Sequence, residues 1–82
     1  MHKTQAEIAE LIIEHSKTLL GNLDDHDIKG TDSLVDLGAN SVDRAEIIAL
    51  VLESLELDIP RVELFGAENI EQLAGLIYGK QP

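Results

Sequence analysis

Apolar residues recur at helical spacing in separate stretches of the chain, and this spacing constrains the fold more than any other feature of the sequence. The first such stretch follows Thr4 and Glu7, which lie three residues apart and form a capping pair at a helix start. No stretch alternates apolar and polar residues as a half-buried strand would, so the sequence predicts an all-α fold. The first apolar stripe consists of Ile8, Leu11, Ile12, His15 and Leu19.

Residues that cap or break helices predict where the first helix ends and the second begins. Gly21 follows the first stripe, at the position where a left-handed residue ends a helix. The second helix is predicted from Ser41 to Leu55 or Glu56. Between these helices, residues 22–40 form a connection rich in Asp and Gly, and so long a loop in a small domain is usually functional. The apolar loop residues that we expect to contact the core are Leu23, Ile28, Leu34 and Leu37.

A short third helix and a longer fourth helix are predicted near the carboxyl end. Pro60 suits the start of the third helix, which we expect over residues 61–65 before a stop at Gly66. The fourth helix starts at Asn69, whose capping partner is Gln72. The predicted architecture is a bundle of three longer helices, one short third helix and a long loop between helices one and two. The fourth helix has the buried stripe Ile70, Leu73, Ala74 and Ile77 and the terminal Gly79.

Composition and charge limit the kinds of partner that the chain can bind. Its 82 residues fit one domain, residues 1–82, with no room for a second core. Sixteen acidic residues against six basic ones give a net charge of -10, which excludes nucleic acid as an expected partner and favours basic protein patches. Neither a signal peptide nor a membrane span is visible, so we expect a cytoplasmic protein that does not bind membranes. Because like charges repel, we also expect a monomer.

The junction between the long loop and the second helix carries the candidate chemistry. Gly38 permits a tight turn, Leu37 and Val42 can anchor its two sides, and Ser41 emerges with an accessible hydroxyl. Free N–H groups and the positive end of the helix dipole stabilise an anion at such a position, which suits a phosphate ester. The alternative is that Asn40 or Ser41 only caps the helix, since both residue types are favoured caps.

The second helix has two apolar faces. A 3.6-residue wheel assigns one face to the core and leaves an adjoining face of modest apolar residues with an acidic border. An exposed stripe of this kind suggests a partner surface, the alternative being a central helix that is buried over a wide arc. Arg44, a cation that opposes the helix dipole, is either a solvated residue or a partner-selective contact. The core face holds Ile47, Ile48, Val51 and Leu55, and the second face holds Val42, Ala45, Ala49 and Leu52, bordered by Glu46, Glu53 and Glu56.

Neither a catalytic site nor a strong metal site is indicated. A serine nucleophile needs a base within hydrogen-bond reach, and none of His2, His15 and His26 lies near Ser41 in the sequence. We expect His15 at the edge of the core. The long loop contains a partial calcium motif in which a lysine stands at the fifth ligand position and an aspartate replaces the final glutamate, so only weak calcium binding is expected. The residues of that motif are Asp25, Asp27, Lys29, Gly30 and Asp36.

The sequence around Ser41 resembles the phosphopantetheine attachment region of acyl carrier proteins. The resemblance rests on Asp32-Ser33-Leu34, Leu37-Gly38, Asn40-Ser41-Val42-Asp43 and Glu46-Ile47, and it extends over nearly the whole chain. It implies a carrier that is not an enzyme, with an acyl-carrier-type four-helix bundle and 4′-phosphopantetheine on Ser41. A separate phosphopantetheinyl transferase would supply this group from coenzyme A. Many family members have Asp where this chain has Asn40, which leaves the approach of the transferase open.

The same resemblance implies that partner enzymes dock on the second helix through a basic patch. Residues 40–47 and 59–70 are, in addition, similar to the discrete donor carriers of bacterial polyketide β-branching. This narrower resemblance makes Arg44 and Arg61 candidates for selecting a partner. The implied docking residues are Asn40, Val42, Asp43, Arg44, Ala45, Glu46, Ala49, Leu52, Glu53 and Arg61.

The narrower resemblance also implies a set of enzymes. An acyltransferase would load malonyl, a decarboxylating ketosynthase would convert it to acetyl, and a hydroxymethylglutaryl-synthase-like enzyme would add the acetyl unit to a polyketide on another carrier. The alternatives are a carrier used by the enzymes of fatty-acid synthesis and, more distantly, a peptidyl or D-alanyl carrier. An acidic interaction module that is never modified, or a weak calcium-binding protein, is the alternative from another functional class.

Overall fold

The computed structural model describes residues 3–21, 28–64 and 66–81, and all regular structure in these ranges is helical. Helix α1 spans Gln5–Leu20, α2 spans Ser41–Leu55 and α3 spans Ile70–Tyr78, while a 3-10 helix covers Arg61–Leu64. The predicted all-α bundle with one short third helix is therefore confirmed. No helix in the described ranges is long and apolar enough to cross a membrane.

The three α-helices begin at the caps that the sequence predicts. Thr4 and Glu7 form a reciprocal capping box at the start of α1, which ends at Gly21 with a left-handed φ of 70°. Asn69 caps α3 by accepting from the Gln72 N–H at 2.7 Å. The Gln72 side chain does not complete a box with Asn69, because it accepts instead from the Glu68 N–H at 3.0 Å.

The core lies where α1 packs against both α2 and α3. All four residues of the predicted α3 stripe are buried, as are Ile8 and Ile12 of α1. Leu19, which was predicted on the α1 stripe, is 37% exposed, so that part of the prediction is wrong. Ser16 is buried in the same helix, and its hydroxyl donates to the Ile12 carbonyl at 2.6 Å. The hydrogen bond within the helix is what permits a hydroxyl at this buried position.

The predicted division of α2 into two faces needs two corrections. Leu52, which was assigned to the exposed face, is only 6% exposed and belongs to the core, while the predicted core residue Leu55 is half-buried. Val42 is 73% exposed, which agrees with its predicted place on the second face but not with the expectation that it anchors the loop junction. The buried stripe of α2 thus includes Leu52 together with Ile47, Ile48 and Val51.

The described part of the long loop is fastened to the start of α3. The Gly30 carbonyl accepts from the Glu71 N–H at 2.8 Å, and the Asp32 carbonyl accepts from the Ile70 N–H at 3.0 Å. Ile28 and Leu34 are buried as predicted, whereas the prediction for Leu23 falls outside the described residues. These contacts satisfy N–H groups that the first turn of a helix cannot bond internally.

The end of the loop turns sharply into α2. Gly38 has a φ of 99°, a conformation that residues with a Cβ rarely adopt, which confirms the predicted turn. Leu37 lies half-buried against the core on one side of this turn. Together with the bonds to α3, the turn places the last loop residues beside the first turn of α2.

The short helix near the carboxyl end has the 3-10 form. It begins after Pro60, whose carbonyl accepts from the Glu63 N–H at 3.0 Å. The predicted end at Phe65 falls outside the described residues. An ion pair between Lys80 and Glu63 joins the chain after α3 to this helix.

Candidate functional site

Ser41 is the first residue of α2, and its hydroxyl is exposed. The two possible caps are resolved in favour of Asn40, whose side-chain Oδ1 accepts from the Asp43 N–H at 2.8 Å. The Asp43 carboxylate reciprocates by accepting from the Asn40 N–H at 3.3 Å. Because this capping box uses the side chains on either side of Ser41, the Ser41 hydroxyl is left out of the helix cap and stays accessible.

Arg44 lies one turn after Ser41 on the same side of α2 and donates from Nη2 to the Ser41 Oγ at 3.2 Å. Its Nε is shielded from solvent and has no hydrogen-bond partner in the part of the chain that the structure describes. Arg44 is therefore not the freely solvated residue that was one of the two sequence-based alternatives.

A cavity of about 380 Å³ opens beside Ser41. Its volume lies within the range of small-molecule sites in proteins, at roughly 300–1,000 Å³. The walls come from the loop before α2, the inner side of α2, the end of the 3-10 helix and the start of α3. Its lining residues are Ser33, Leu34, Val35, Ser41, Arg44, Ala45, Ile48, Leu64, Ala67, Glu68, Asn69 and Leu73.

The predicted docking residues are distributed unevenly between surface and core. Val42, Glu46 and Glu53 are exposed on α2, and Arg61 is exposed on the 3-10 helix. Of the six other predicted residues, one is exposed, four are half-buried and one is buried. They are, in that order, Asn40, then Asp43, Arg44, Ala45 and Ala49, and finally Leu52.

Two strongly exposed apolar residues, one of them at the cavity, were missed by the sequence-based prediction. Val35 is 56% exposed and lines the cavity, and Val62 on the 3-10 helix is 71% exposed. Neither belongs to a helix long enough to show periodicity, so their exposure depends on how the connections pack. The one hint of their exposure in the sequence is that neither valine belongs to a periodic apolar stripe of a predicted helix.

Among the described residues, the Ser41 hydroxyl hydrogen-bonds with Arg44 and with no histidine. His15 is half-buried, and its Nε2 lies 3.2 Å from the Ser54 Oγ near the far end of α2. Ser54 is 13 residues from Ser41, a separation of roughly 20 Å along a helix axis. The expectation that His15 lies at the core edge is confirmed, and His2 and His26 fall outside the described residues.

Within residues 3–21, 28–64 and 66–81, no group of three or more potential ligand side chains could hold a metal ion. Asp25 and Asp27 of the partial calcium motif fall outside these ranges. Of the described motif residues, the Lys29 N–H donates to the Asp32 carboxylate at 2.9 Å, and the Asp36 N–H donates to the Ser33 hydroxyl at 3.0 Å. These bonds shape the loop backbone.

Comparison with known proteins agrees with this geometry. Residues 7–77 match the family described as "Phosphopantetheine attachment site". The chain is 52% identical over 73 residues to the polyketide biosynthesis acyl-carrier-protein AcpK of Bacillus subtilis (strain 168), and the alignment covers 89% of each chain.

A solved structure is similar as well. It is the crystal structure of the HMG synthase of the curacin biosynthetic pathway in complex with an acetyl donor acyl carrier protein. The similar chain in it is 42% identical, with a TM-score of 0.91 over 95% of the present chain and 100% of the other. Because the alignment covers all of that chain with fewer than 82 residues of the present one, the similar chain in the complex is the acyl carrier protein and not the synthase. Family, sequence and fold agree, and the chain therefore belongs to the phosphopantetheine-attachment family as an acyl carrier protein, on which other enzymes act.

Proposed function

We propose that Ser41 carries the 4′-phosphopantetheine that this family holds covalently. The observation that supports this most directly is the exposed Ser41 hydroxyl, which the Asn40–Asp43 capping box leaves outside the helix cap. When bound, the arm supplies a thiol that holds an acyl group as a thioester. The chain itself contributes the oxygen, the position at the helix start and the charge around it.

The surroundings of Ser41 fit a phosphodiester. The hydroxyl is at the positive end of the α2 dipole, where an anion is stabilised. The Arg44 guanidinium already reaches the oxygen, and its buried Nε lacks an acceptor in the described part of the chain. In the loading reaction Oγ bonds to phosphorus, the pyrophosphate bond of coenzyme A breaks, adenosine bisphosphate leaves, and the transferase takes the hydroxyl proton.

Intact mass tests this assignment. The apo protein is incubated with coenzyme A and a broad-specificity phosphopantetheinyl transferase, and we expect one added phosphopantetheine. Ser41→Ala should gain none, whereas Ser54→Ala, which removes an exposed serine from the same helix, should be modified as wild type. Modification of Ser41→Ala, or no modification of wild type beside a modified control carrier, contradicts the assignment.

We further propose that the carrier donates acetyl units in polyketide β-branching. The relatives support this role, since one is named as a polyketide carrier and the other is an acetyl donor in complex with an HMG synthase. An acyltransferase that loads malonyl and a decarboxylating ketosynthase belong to the same proposal. We also propose that the protein is located in the cytoplasm and that residues 1–82 form one monomeric domain. Fatty-acid synthesis is the remaining alternative.

The proposed docking surface consists of exposed residues along α2 and on the 3-10 helix that follows it. Val42 offers apolar area there, Glu46 and Glu53 provide negative charge for a basic patch, and Arg61 lies on the neighbouring 3-10 helix. Leu52 is excluded from this surface because it is buried. Electrostatic complementarity of this kind raises the rate of encounter and selects among partners.

Transfer kinetics test the donor role. The acetylated carrier is mixed with a hydroxymethylglutaryl-synthase-like enzyme and a β-ketoacyl carrier, and we expect loss of the acetyl group. Glu46→Lys and Glu53→Lys should each raise KM by about tenfold, the equivalent of one lost charge contact. Glu14→Lys, at an exposed position of α1, makes the same charge change away from the surface and should leave KM near wild type. Equal effects at all three positions contradict the proposed surface, and failure to transfer acetyl contradicts the donor role.

A further inference from the structure

Arg44 is the only basic residue in α2, and it is aimed at a neutral oxygen. Its Nη2 donates to the Ser41 hydroxyl at 3.2 Å. Within residues 3–21, 28–64 and 66–81, the one ion pair closer than 4.0 Å joins Lys80 to Glu63. In a chain with sixteen acidic residues, the Arg44 charge thus lacks a close carboxylate in the described ranges.

The Arg44 side chain is also held in place. It lines the Ser41 cavity beside Ala45 and Ile48, and its Nε is shielded from water. A buried donor without an acceptor destabilises the folded state, and it does so more strongly when the group is charged. A cation kept in this state next to an attachment site is positioned for an anion that joins the chain later.

We propose that Arg44 binds the phosphodiester of the arm in the modified protein, an inference that rests on the assignment of the arm to Ser41. The phosphorus would be bonded directly to the Oγ that Arg44 already contacts, so the non-bridging oxygens lie one bond further out, within reach of the guanidinium. These oxygens carry the negative charge and are better acceptors than the ester Oγ. The hydrogen bond from Arg44 therefore moves from Oγ to a phosphoryl oxygen.

The guanidinium fork gives this contact direction as well as charge. It presents several N–H donors in one plane and forms charge-assisted bonds of about 2.7–2.9 Å with phosphate oxygens. The Asp43 N–H is already used by the Asn40 cap, so the backbone offers fewer donors than an uncapped helix start. Arg44 acts as a positioning residue that fixes the root of the arm at the mouth of the Ser41 cavity.

Side-chain NMR of the arginines tests the inference without any partner enzyme. The chain contains only two arginines, Arg44 and Arg61, and the exposed Arg61 serves as an internal reference. Nitrogen-15 spectra of the Nε–H groups are compared before and after modification, which intact mass confirms as complete. We expect the Arg44 signal to shift and the guanidinium signals to show coupling to phosphorus-31, with no change at Arg61.

Matched variants give a second measurement on the holo protein. Arg44→Gln should change the phosphorus-31 shift and sharpen its line as the phosphate gains mobility, while Arg61→Gln should leave both unchanged. Circular dichroism checks that each variant is folded. If a variant does not fold, the arginine spectra of the wild-type protein still test the inference. An Arg44 signal that stays in place in fully modified protein overturns the inference. A chain that takes up no phosphopantetheine fails at the mass measurement instead, which contradicts the Ser41 assignment.

Discussion

At the scale of single residues, the first turn of α2 divides its tasks among neighbours. Asn40 and Asp43 satisfy each other's backbone N–H groups, the Ser41 hydroxyl stays outside the cap, and Arg44 donates to that hydroxyl. The departure from the Asp that many carriers have before the serine therefore leaves the capping function intact. An amide oxygen accepts the same hydrogen bond that a carboxylate would.

Replacing the cap should weaken the start of α2. Asn40→Ala loses the bond to the Asp43 N–H, and we expect the free energy of unfolding to fall by about 1 kcal/mol. Asn40→Asp keeps the bond and adds a negative charge at the positive end of the dipole, so its stability should equal or exceed wild type. Urea unfolding followed by circular dichroism measures both. Equal stability of the alanine variant and wild type would contradict the structural role of the cap.

The capping box of α1 makes a small part of the stability depend on pH. Hydrogen bonds from the backbone N–H of Thr4, and then from its side chain, hold the pKa of Glu7 below its ordinary value of 4.5. Because the folded pKa is the lower one, this stabilisation is present above pH 4.5 and is lost as the pH falls through the folded pKa.

Glu7→Gln should accordingly lose less stability than wild type when the pH is lowered below 4.5. Glu10→Gln removes a carboxylate from the same helix without touching Thr4 and serves as the control. Urea midpoints over a pH series give the comparison. If Glu7→Gln and wild type lost the same stability below pH 4.5 while Glu10→Gln lost less, Glu7 would not be the source of this pH dependence.

Residue-level features were predictable where they depend on near neighbours in the sequence. Thr4, Asn40 and Asn69 cap their helices through residues three positions away, and such spacing is visible in the chain. The Arg44 conformation was not predictable, because the shielding of its Nε comes from packing around the cavity. Both sequence-based alternatives for Arg44, a solvated residue and a partner contact, placed its side chain in solvent. In the structure the side chain turns toward Ser41.

At the scale of elements, α2 serves as both a core helix and the support of the site. Its inner side contributes Ile47, Ile48 and Val51 to the core, and its first turn remains accessible. Periodicity predicted these core residues and the exposure of Val42, but it misplaced Leu52 and Leu55. A helical wheel gives the direction of each side chain around the helix axis. Burial depends in addition on which neighbouring element covers that direction at each position along the helix.

The end of α2 stores backbone strain. Glu56 adopts a left-handed conformation with a φ of 56°, which a side chain with a Cβ tolerates poorly. Glu56→Gly should relieve this strain and raise the free energy of unfolding by about 1 kcal/mol. Glu53→Gly, at an exposed position inside the helix, should lower it by about 1 kcal/mol. Urea unfolding of the two variants checks the signs, and destabilisation by glycine at both positions would rule out the strained cap.

At the scale of the whole molecule, negative charge dominates the surface. The net charge is -10 over 82 residues, and the described ranges contain a single close ion pair. Such a surface promotes encounter with basic partners and opposes self-association, but its self-repulsion destabilises the compact state. The excess of negative charge could be predicted from the sequence alone, because net charge depends only on composition.

Salt should therefore stabilise the carrier. Raising NaCl from about 0.01 M to about 1 M shortens the Debye length from ~30 Å to ~3 Å, which screens the repulsion between carboxylates. We expect the thermal midpoint to rise over this range, as measured by circular dichroism. Chloride is preferable to sulfate, which strengthens apolar burial in its own right. A falling midpoint would mean that attractive charge contacts outweigh the repulsion.

The attachment of phosphopantetheine at Ser41 is tested most directly by mapping the modified residue. Trypsin cleavage after Lys29 and Arg44 releases residues 30–44, which contain the hydroxyls of Thr31, Ser33 and Ser41. Fragmentation of this peptide from holo protein should place the added mass on fragments that contain Ser41, with Thr31 and Ser33 unmodified. Added mass on Thr31 or Ser33, or on any peptide outside residues 30–44, would contradict the assignment.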